Sequence, residues 1–136
     1  LAISSAASDV YKRQDLPYEQ ARKMLGKKSI IGVSASNKDE FAKVKRLKGV
    51  DYIGVSAFSS NTKKEMKNYF GLTGLKKCAK ATKIPLIAIG GIKISDVNSI
   101  LNQKVHGVAM ISSLLKGDIK HNCMEVSKII KSHEKI

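Results

Sequence analysis

The chain has 136 residues, about the length of one domain. Hydrophobic residues make up 43% of it, which is enough for a packed core and excludes general disorder. No apolar run approaches the roughly 20 residues that a membrane-spanning helix needs, so we expect a soluble protein with no membrane partner. The two cysteines, Cys78 and Cys123, are too few for a disulfide scaffold and indicate free thiols in a cytoplasmic protein.

The chain is strongly basic, with 25 Lys and Arg against 11 Asp and Glu and a formal net charge of +14. Only 3 of the basic residues are arginine, the residue that reads guanine edges and stacks on bases. Aromatic residues make up 5% of the chain and do not interleave with the lysines, so no stacking platform is visible. We therefore expect no nucleic-acid partner, and a surface field that attracts small anions such as phosphate esters.

Two regions differ in pattern. Residues 1–14 form an atypical tail, for which a foreign or artefactual origin is the alternative interpretation. Over residues 15–136, short apolar runs alternate with segments of helical period, which predicts a single domain of βα units. The predicted strands are Ile30–Ser34, Asp51–Ala57, Leu86–Ile89 and Gly107–Ile111. The predicted helices are Tyr18–Leu25, Lys38–Leu47, Thr73–Thr82, Ser95–Leu101 and Lys120–Lys131, with Asn37 and Ser95 as N-caps.

Four parallel strands that alternate with helices form either half of an eight-stranded βα barrel or a small doubly wound sheet. A complete barrel needs on the order of 200 residues or more. A half barrel also leaves two sheet edges and one face uncovered. These features predict an α/β fold of one of these two kinds, and a half barrel would lack its N-terminal half.

Polar groups follow each predicted strand. Ser34 ends the first, Ser59–Lys64 follows the second, Gly90 and Gly91 follow the third, and Ser112 follows the fourth. The carboxyl ends of parallel strands lie on one face of a barrel, where barrel enzymes place their chemistry. Hydroxyls, glycine amides and a lysine on one face predict a phosphate-binding site there.

Several segments resemble the thiamine-phosphate synthase family. QDLPYEQARKMLG is similar to the family's G-Q-x-D-L-P helix start, and IIGVS is similar to its G-V-S strand. DYIGVSAF and the residues 60–64 that follow resemble the family's D-Y-[IV]-G-x-G-P-x-x-P-T-x-T-K-K loop. PLIAIGGI and GVAMIS match its last two strands. The resemblance runs from Asp15 to near the C-terminus, about nine-tenths of the chain. It implies an α/β fold that is the C-terminal half of a TIM (β/α)8 barrel, with the N-terminal half missing.

The resemblance implies a transferase of thiamine biosynthesis that couples hydroxymethylpyrimidine diphosphate to thiazole phosphate, giving thiamine monophosphate and pyrophosphate. It also implies Mg²⁺ as cofactor and two small-molecule substrates, and it allows for a homo-oligomer. By position, Asp15 corresponds to a Mg²⁺ ligand, and the catalytic residues are Ser34 and Lys63, which contact the pyrimidine diphosphate. The residues expected to contact the thiazole phosphate are Ser60, Thr62, Gly91, Ile111 and Ser112.

The chain departs from the family pattern in three places. The 56–63 loop is one residue shorter and has Ser56 and Ala57 where Gly-Pro is usual. Gln14 follows Lys12 and Arg13 instead of D-G-V-H-L-G. The first four strands, the first Mg²⁺ aspartate and the Q-x-R-x-K-type segment have no counterpart. We therefore expect the chain to be catalytically inert by itself.

Two alternatives stay open at this stage. A thiazole tautomerase-like relative would transfer protons on the same fold, but it needs a histidine where this chain has Ala35 and Ser36. A non-catalytic half barrel that holds a phosphate ligand or a partner is the other alternative. His106, His121 and His133 are expected to be structural or solvated.

Overall fold

The computed structural model describes residues 7–9, 16–56 and 70–134. The strands are β1 (Ala7–Asp9), β2 (Ile30–Ala35), β3 (Tyr52–Ser56), β4 (Leu86–Ile89) and β5 (Gly107–Ala109). The helices are α1 (Tyr18–Leu25), α2 (Lys38–Val44), α3 (Gly71–Ala81), α4 (Val97–Leu101), α5 (Ser112–Leu115) and α6 (Ile119–Glu134), and a 3-10 turn at Ile94–Asp96 leads into α4.

The strands form one parallel sheet in the order β1-β2-β3-β4-β5. Each strand pairs with the strand that follows it in the chain, as in the registers Val33↔Ile53 and Ala88↔Val108. Crossovers between parallel strands are right-handed, so a sheet in sequential order carries all its helices on one face. The sequence prediction of parallel strands alternating with helices is confirmed.

The helical face of the sheet holds the core. Val33, Ile53 and Leu86 are each at most 1% exposed. They pack in one cluster with Phe41 of α2 and Leu75 of α3. The cluster also takes in Val97, Ile100 and Leu101 of α4 and Val126 of α6, while Ala21 of α1 packs against Ile31. Because side chains alternate along a strand, the residues between these core positions point to the opposite face.

That opposite face is lined by small and polar residues. Gly32, Ser34 and Gly54 lie there, and larger side chains from the neighbouring strands fill the space over the glycines. A Cβ placed on Gly32 would collide with the ring of Tyr52, and one on Gly54 would lie 2.9 Å from Ile89. In the described ranges, the helices pack on the other face of the sheet. The face without helices extends to the carboxyl ends of the strands.

Three elements depart from the sequence prediction. Four strands were predicted, and the structure adds β1 within the 1–14 segment, paired with β2 in the register Ala7↔Ile30. The sequence Ala-Ser-Asp has no strand signal of its own, since such a signal comes from β-branched and aromatic residues. The strand predicted over Gly107–Ile111 ends at Ala109, because the chain turns through Met110 and Ile111 into α5. The helix α5 was not predicted, because its four residues are too few to show a helical period.

The two predicted N-caps have different outcomes. Asn37 caps α2, its Oδ1 accepting the N–H of Glu40 at 2.9 Å, which confirms the prediction. The prediction for Ser95 is wrong, because Ser95 lies inside the 3-10 turn. The Asp96 carboxylate accepts the N–H of Lys93 at 2.9 Å and so starts the turn earlier.

Arg22 joins α1 to the amino end of the sheet. Its guanidinium donates to the carbonyls of Gly49 and Ser29 and to the carboxylate of Asp51 at 2.6 Å. The same Asp51 oxygen accepts the N–H of Ile31 at 2.6 Å. This network lies at the end of the sheet away from the expected site and sets the position of α1.

No helix among the described residues is long and apolar enough to cross a membrane.

Candidate functional site

The carboxyl ends of four strands meet at one edge of the sheet. Ser34 of β2 lies beside Gly54, and Ser56 at the end of β3 is the register partner of Ile89 at the end of β4. Ile89 in turn pairs with Ala109 at the end of β5. The residues that follow these strand ends are therefore brought together, as the sequence predicted for the described strands.

A cavity of about 330 Å³ lies between the loops that follow β4 and β5. Three of the predicted site residues, Gly91, Ile111 and Ser112, line it together. Its volume is at the lower end of the range for small-molecule sites. The remaining lining residues are Ile89, Gly90, Ile92, Lys93, Ala109, Met110, Ser113 and Lys116.

Glycine is required on the β4 side of this small cavity. Gly90 has φ 89° and Gly91 has φ 67°, both in the left-handed region that other residues rarely adopt. The two residues reverse the chain immediately after β4 and leave no side chain over the turn. A ligand can therefore approach the backbone closely at this wall.

A hydrogen bond joins the two walls of the small cavity. The Ser113 hydroxyl donates to the Ile92 carbonyl at 2.8 Å, linking α5 to the loop after β4. On the other side of α5, the Asn122 side-chain amide lies 3.0 Å from the Leu114 carbonyl and 2.8 Å from the Lys116 carbonyl. These bonds hold α5 between the turn after β4 and the start of α6. The small cavity is thus held in shape by side chains that the sequence did not single out.

A second, larger cavity of about 900 Å³ adjoins the first and shares Ile89 and Ile111 with it. It contains Ser34, the remaining predicted residue that the structure describes, together with Ser56. Its other lining residues are Pro17, Tyr18, Glu19, Val33, Ser36, Glu40, Lys43, Val44 and Leu47. The predicted residues thus divide between two adjoining cavities, with Ile111 at the border.

Tyr18 is a hydrogen-bond donor at the rim of the larger cavity. Burial raises the pKa of its phenol above the ordinary 10.0, and the neighbouring Glu19 carboxylate raises that pKa further through a hydrogen bond and through its charge. Sequence reasoning missed Tyr18 because nothing in its local pattern separates it from an ordinary helix residue.

Four predicted site residues, Asp15, Ser60, Thr62 and Lys63, lie outside the described residues. Over residues 16–56 and 70–134, no group of three or more His, Cys, Asp or Glu side chains could hold a metal ion. Asp15 is the residue of this chain on which the Mg²⁺ prediction rests.

The three histidines lie away from both cavities. His106 pairs with Leu86 at the amino end of the sheet. The backbone N–H of His106 donates to the Leu86 carbonyl at 2.9 Å, and the ring Nδ1 of His106 accepts the backbone N–H of Leu86 at 3.2 Å. On α6, His121 lies 3.9 Å from Glu125, and the ring of His133 hydrogen-bonds to Asn98 at 2.9 Å. The expectation that the histidines are structural or solvated is confirmed for these positions.

Comparison with known proteins shows the family of the chain. The sequence model of the thiamine monophosphate synthase family matches residues 5–114. A thiamine-phosphate synthase of Clostridium novyi (strain NT) is 39% identical over 120 residues, which cover 87% of this chain and 58% of the relative. One of Vibrio parahaemolyticus is 36% identical over 116 residues, covering 84% of this chain and 56% of the relative. The chain thus spans a little over half the length of these curated relatives.

The fold has a counterpart among solved structures. A thiamine phosphate pyrophosphorylase from Pyrococcus furiosus superposes with a TM-score of 0.74 at 30% sequence identity, covering 89% of this chain and 57% of the other. Sequence and structure comparisons therefore agree with each other and with the motifs that follow the strands.

Proposed function

The chain belongs to the thiamine monophosphate synthase family, and we propose that it is part of a transferase that couples hydroxymethylpyrimidine diphosphate to thiazole phosphate. The products are thiamine monophosphate and pyrophosphate. The observation that carries this proposal is the small cavity at the carboxyl ends of β4 and β5, where Gly91, Ile111 and Ser112 meet. These residues were assigned to the thiazole phosphate from their positions in the family motifs alone.

The proposal includes the fold of the intact enzyme, in which this five-stranded sheet is the C-terminal part of a TIM (β/α)8 barrel. Sequential strand order with helices on one face supports a barrel, because a doubly wound sheet reverses its strand order at a switch point. The glycine-lined face without helices would then become the barrel interior. With the remaining strands absent, the chain alone is expected to be inactive.

The proposed coupling breaks the bond between the pyrimidine methylene carbon and the diphosphate oxygen, and the bonding electron pair leaves with pyrophosphate. The thiazole nitrogen then donates its lone pair to the pyrimidine cation, forming the new C–N bond without loss of a proton. In this scheme Ser34 and Lys63 contact the diphosphate, where donors stabilise the charge that builds on the leaving group. Ser60, Thr62, Gly91, Ile111 and Ser112 hold the thiazole phosphate.

Mg²⁺ is the proposed cofactor because the family uses it, and Asp15 is the residue of this chain assigned to it. When bound, a divalent cation would neutralise charge on the leaving diphosphate.

A cytoplasmic location is also proposed, and the free thiols of Cys78 and Cys123 support it because disulfides are rare in reducing compartments. A homo-oligomer stays a prediction.

One observation favours coupling over the proton transfer of a tautomerase-like enzyme. No histidine lines either cavity, and Ala35 and Ser36 occupy the positions where that enzyme would need one. A non-catalytic half barrel that binds phosphate stays an alternative, and the experiment below separates the two.

The test uses two proteins: the chain itself and a chimera in which the Clostridium novyi relative supplies the segment before Asp15. Both are assayed with the two substrates and Mg²⁺ for thiamine monophosphate and pyrophosphate. We expect the chimera to form both products in equal amounts and the chain alone to form neither. In the chimera, Lys63→Ala should lower kcat by about 100-fold, since it removes a donor to the leaving group.

The matched control is Lys77→Ala, which removes an exposed lysine of α3 away from both cavities. Its turnover should equal that of the unsubstituted chimera. A folded chimera that binds phosphate esters without coupling would favour the non-catalytic alternative, and unchanged turnover in Lys63→Ala would contradict the assignment of that lysine.

A further inference from the structure

Arg22 lies at the opposite end of the sheet from the two cavities, on the helix that forms one wall of the larger cavity. α1 and the residue before it contribute Pro17, Tyr18 and Glu19 to that wall, and β2 contributes Ser34. We infer that Arg22 is a positioning residue, which holds α1 against β2 at the amino end and so sets the distance between Tyr18 and Ser34. The inference depends on the proposed function for the ligand of this cavity, the pyrimidine diphosphate.

The guanidinium of Arg22 bonds to two turns that are distant from each other in the chain. Its Nη1 donates to the Gly26 carbonyl at 3.0 Å and to the Ser29 carbonyl, in the turn between α1 and β2. Its Nε and Nη2 donate to the Gly49 carbonyl at 3.1 and 2.9 Å, in the turn between α2 and β3. Nη2 also donates to the Asp51 carboxylate at 2.6 Å. One planar group therefore joins the end of α1 to the turns that lead into β2 and β3.

The Asp51 carboxylate extends this connection to β2 itself. The oxygen that accepts from Arg22 also accepts the backbone N–H of Ile31 at 2.6 Å. Ile31 is the second residue of β2, three positions before Ser34 on the same strand. Because the Asp51 side chain is 45% exposed, its ion pair alone contributes little to stability. The attachment of α1 therefore comes from the whole set of guanidinium donors.

The rest of α1 is weakly attached. Its eight residues make a helix too short to be stable by itself, and Pro17, which precedes it, provides no side-chain cap. Ala21 is the one buried residue of α1, and it packs against Ile31 with Tyr18 and Leu25 partly buried beside them. The orientation of α1 therefore depends on the hydrogen bonds of Arg22.

A shift of α1 affects the larger cavity and leaves the small one in place. Tyr18 lies four residues before Arg22, about 6 Å along the helix axis and on the same side of the helix, so a tilt at the guanidinium moves the phenol. None of the described residues that line the small cavity belongs to α1, β2 or the two turns. Loss of the Arg22 bonds should therefore weaken binding of the pyrimidine diphosphate and spare that of the thiazole phosphate, whereas general destabilisation would weaken both.

The first measurement is hydrogen exchange of the 136-residue chain, followed by mass spectrometry. Arg22→Met keeps the length of the side chain and removes its donors. The amides of α1 should exchange about tenfold faster in this variant because the helix opens locally, whereas the amides of α3 should keep their rates. The matched control is Arg46→Met, which removes an exposed arginine just after α2 and should leave the exchange of α1 unchanged.

The second measurement uses the chimera in the presence of Mg²⁺. It is titrated by calorimetry with the pyrimidine diphosphate and, separately, with the thiazole phosphate, and KM is determined for each. Arg22→Met should raise Kd and KM for the pyrimidine diphosphate by about tenfold, because small displacements of the groups that position a substrate are costly. Both constants for the thiazole phosphate should stay unchanged.

Two further variants separate positioning from stability and from charge. Cys78→Ala removes a buried side chain of α3 away from both cavities, so it lowers stability and should leave the constants of both ligands unchanged. Arg22→Lys keeps the charge without the planar fork of donors and should recover only part of the affinity for the pyrimidine diphosphate. Circular dichroism checks that each variant is folded.

The inference is overturned if the folded Arg22→Met variant keeps the exchange rates of α1, or if it weakens both ligands by the same factor. Failure of the proposed function would look different, since the chimera would form no thiamine monophosphate while its Kd for the pyrimidine diphosphate still responds to Arg22→Met. Conversely, a chimera that couples normally with Arg22→Met, at an unchanged KM for the pyrimidine diphosphate, would retain the proposed function and remove this inference.

Discussion

At the scale of single residues, burial controls the chemistry of the two cysteines. Cys78 of α3 is 5% exposed, and burial raises the pKa of its thiol from 9.0 to about 11, while the Lys45 ammonium nearby opposes part of that rise. Cys123 of α6 is exposed. The folded chain therefore holds the Cys78 proton more tightly than the unfolded chain does.

This difference predicts a stability that depends on pH. A raised pKa in the folded state contributes stability that is complete below about pH 9 and is lost as the pH rises toward 11. Cys78→Ala should be less stable than the unsubstituted chain at neutral pH by about 1 kcal/mol, because it leaves a small cavity. The difference should shrink and then reverse between pH 9 and 11, because only the unsubstituted chain must ionise a buried thiol, and urea unfolding across this range measures it.

The control for this prediction is Cys123→Ala, which should follow the unsubstituted chain at every pH because its thiol is exposed. A difference between Cys78→Ala and the unsubstituted chain that stays constant across the range would contradict the assignment. Both measurements use the same chain and the same denaturant, so the remaining lysines and tyrosines titrate equally in each.

At the scale of elements, a tyrosine ring of β3 packs over a glycine of β2 on the face without helices. Gly32 and Tyr52 are register partners, and the Tyr52 ring occupies the space where a side chain on Gly32 would lie. Gly107 and Ile87 repeat this arrangement on β5 and β4, with an added Cβ 3.2 Å from the isoleucine. The large side chain of one strand thus fills the space that the glycine of its neighbour leaves on this face.

Gly32→Ala should therefore displace the Tyr52 ring and lower the free energy of unfolding by about 1–3 kcal/mol, the usual cost of overpacking. Tyr52→Ala in the same chain should relieve most of that cost, and Tyr52→Phe should not, because the ring remains. Urea unfolding of the four proteins of the double-mutant cycle measures the coupling. Purely additive effects would show that the two residues do not compete for this space.

At the scale of the whole molecule, the net charge of +14 destabilises the folded state by self-repulsion. Among the described residues, the close acid–base pairs are Arg22 with Asp51 and His121 with Glu125, so local pairing offsets little of it. Salt screens repulsion between exposed charges over about 10 Å at 0.1 M.

The melting temperature should therefore rise with salt. Raising sodium chloride from about 10 to about 200 mM should add about 1 kcal/mol, or about 4 °C, measured by circular dichroism. Replacing three exposed lysines of α3, Lys76, Lys77 and Lys80, by glutamine lowers the charge without touching the core and should make the salt dependence shallower. A melting temperature that falls with salt would refute the prediction of net repulsion.

Much of the fold was predictable because its determinants are local. The apolar runs and helical periods placed four strands and five helices, and no boundary that the structure describes differs from its prediction by more than three residues. Asn37 was predictable as a cap for the same reason, since the residue and the N–H that it binds are three positions apart. The motifs after the strands predicted that Gly91, Ile111 and Ser112 contact the same phosphate, and these three residues line one cavity.

The rest depended on contacts between distant segments. β1 exists through its pairing with β2, and Arg22 finds its partners up to 29 positions away. Ser113 joins the cavity walls through a bond to Ile92, 21 positions earlier. Lys93 and Lys116 are ordinary lysines in the sequence, and only the approach of two loops makes them neighbours of one cavity. The sequence by itself determined the elements and the family, because period and motif are local, whereas tertiary structure alone decided which side chains share a site.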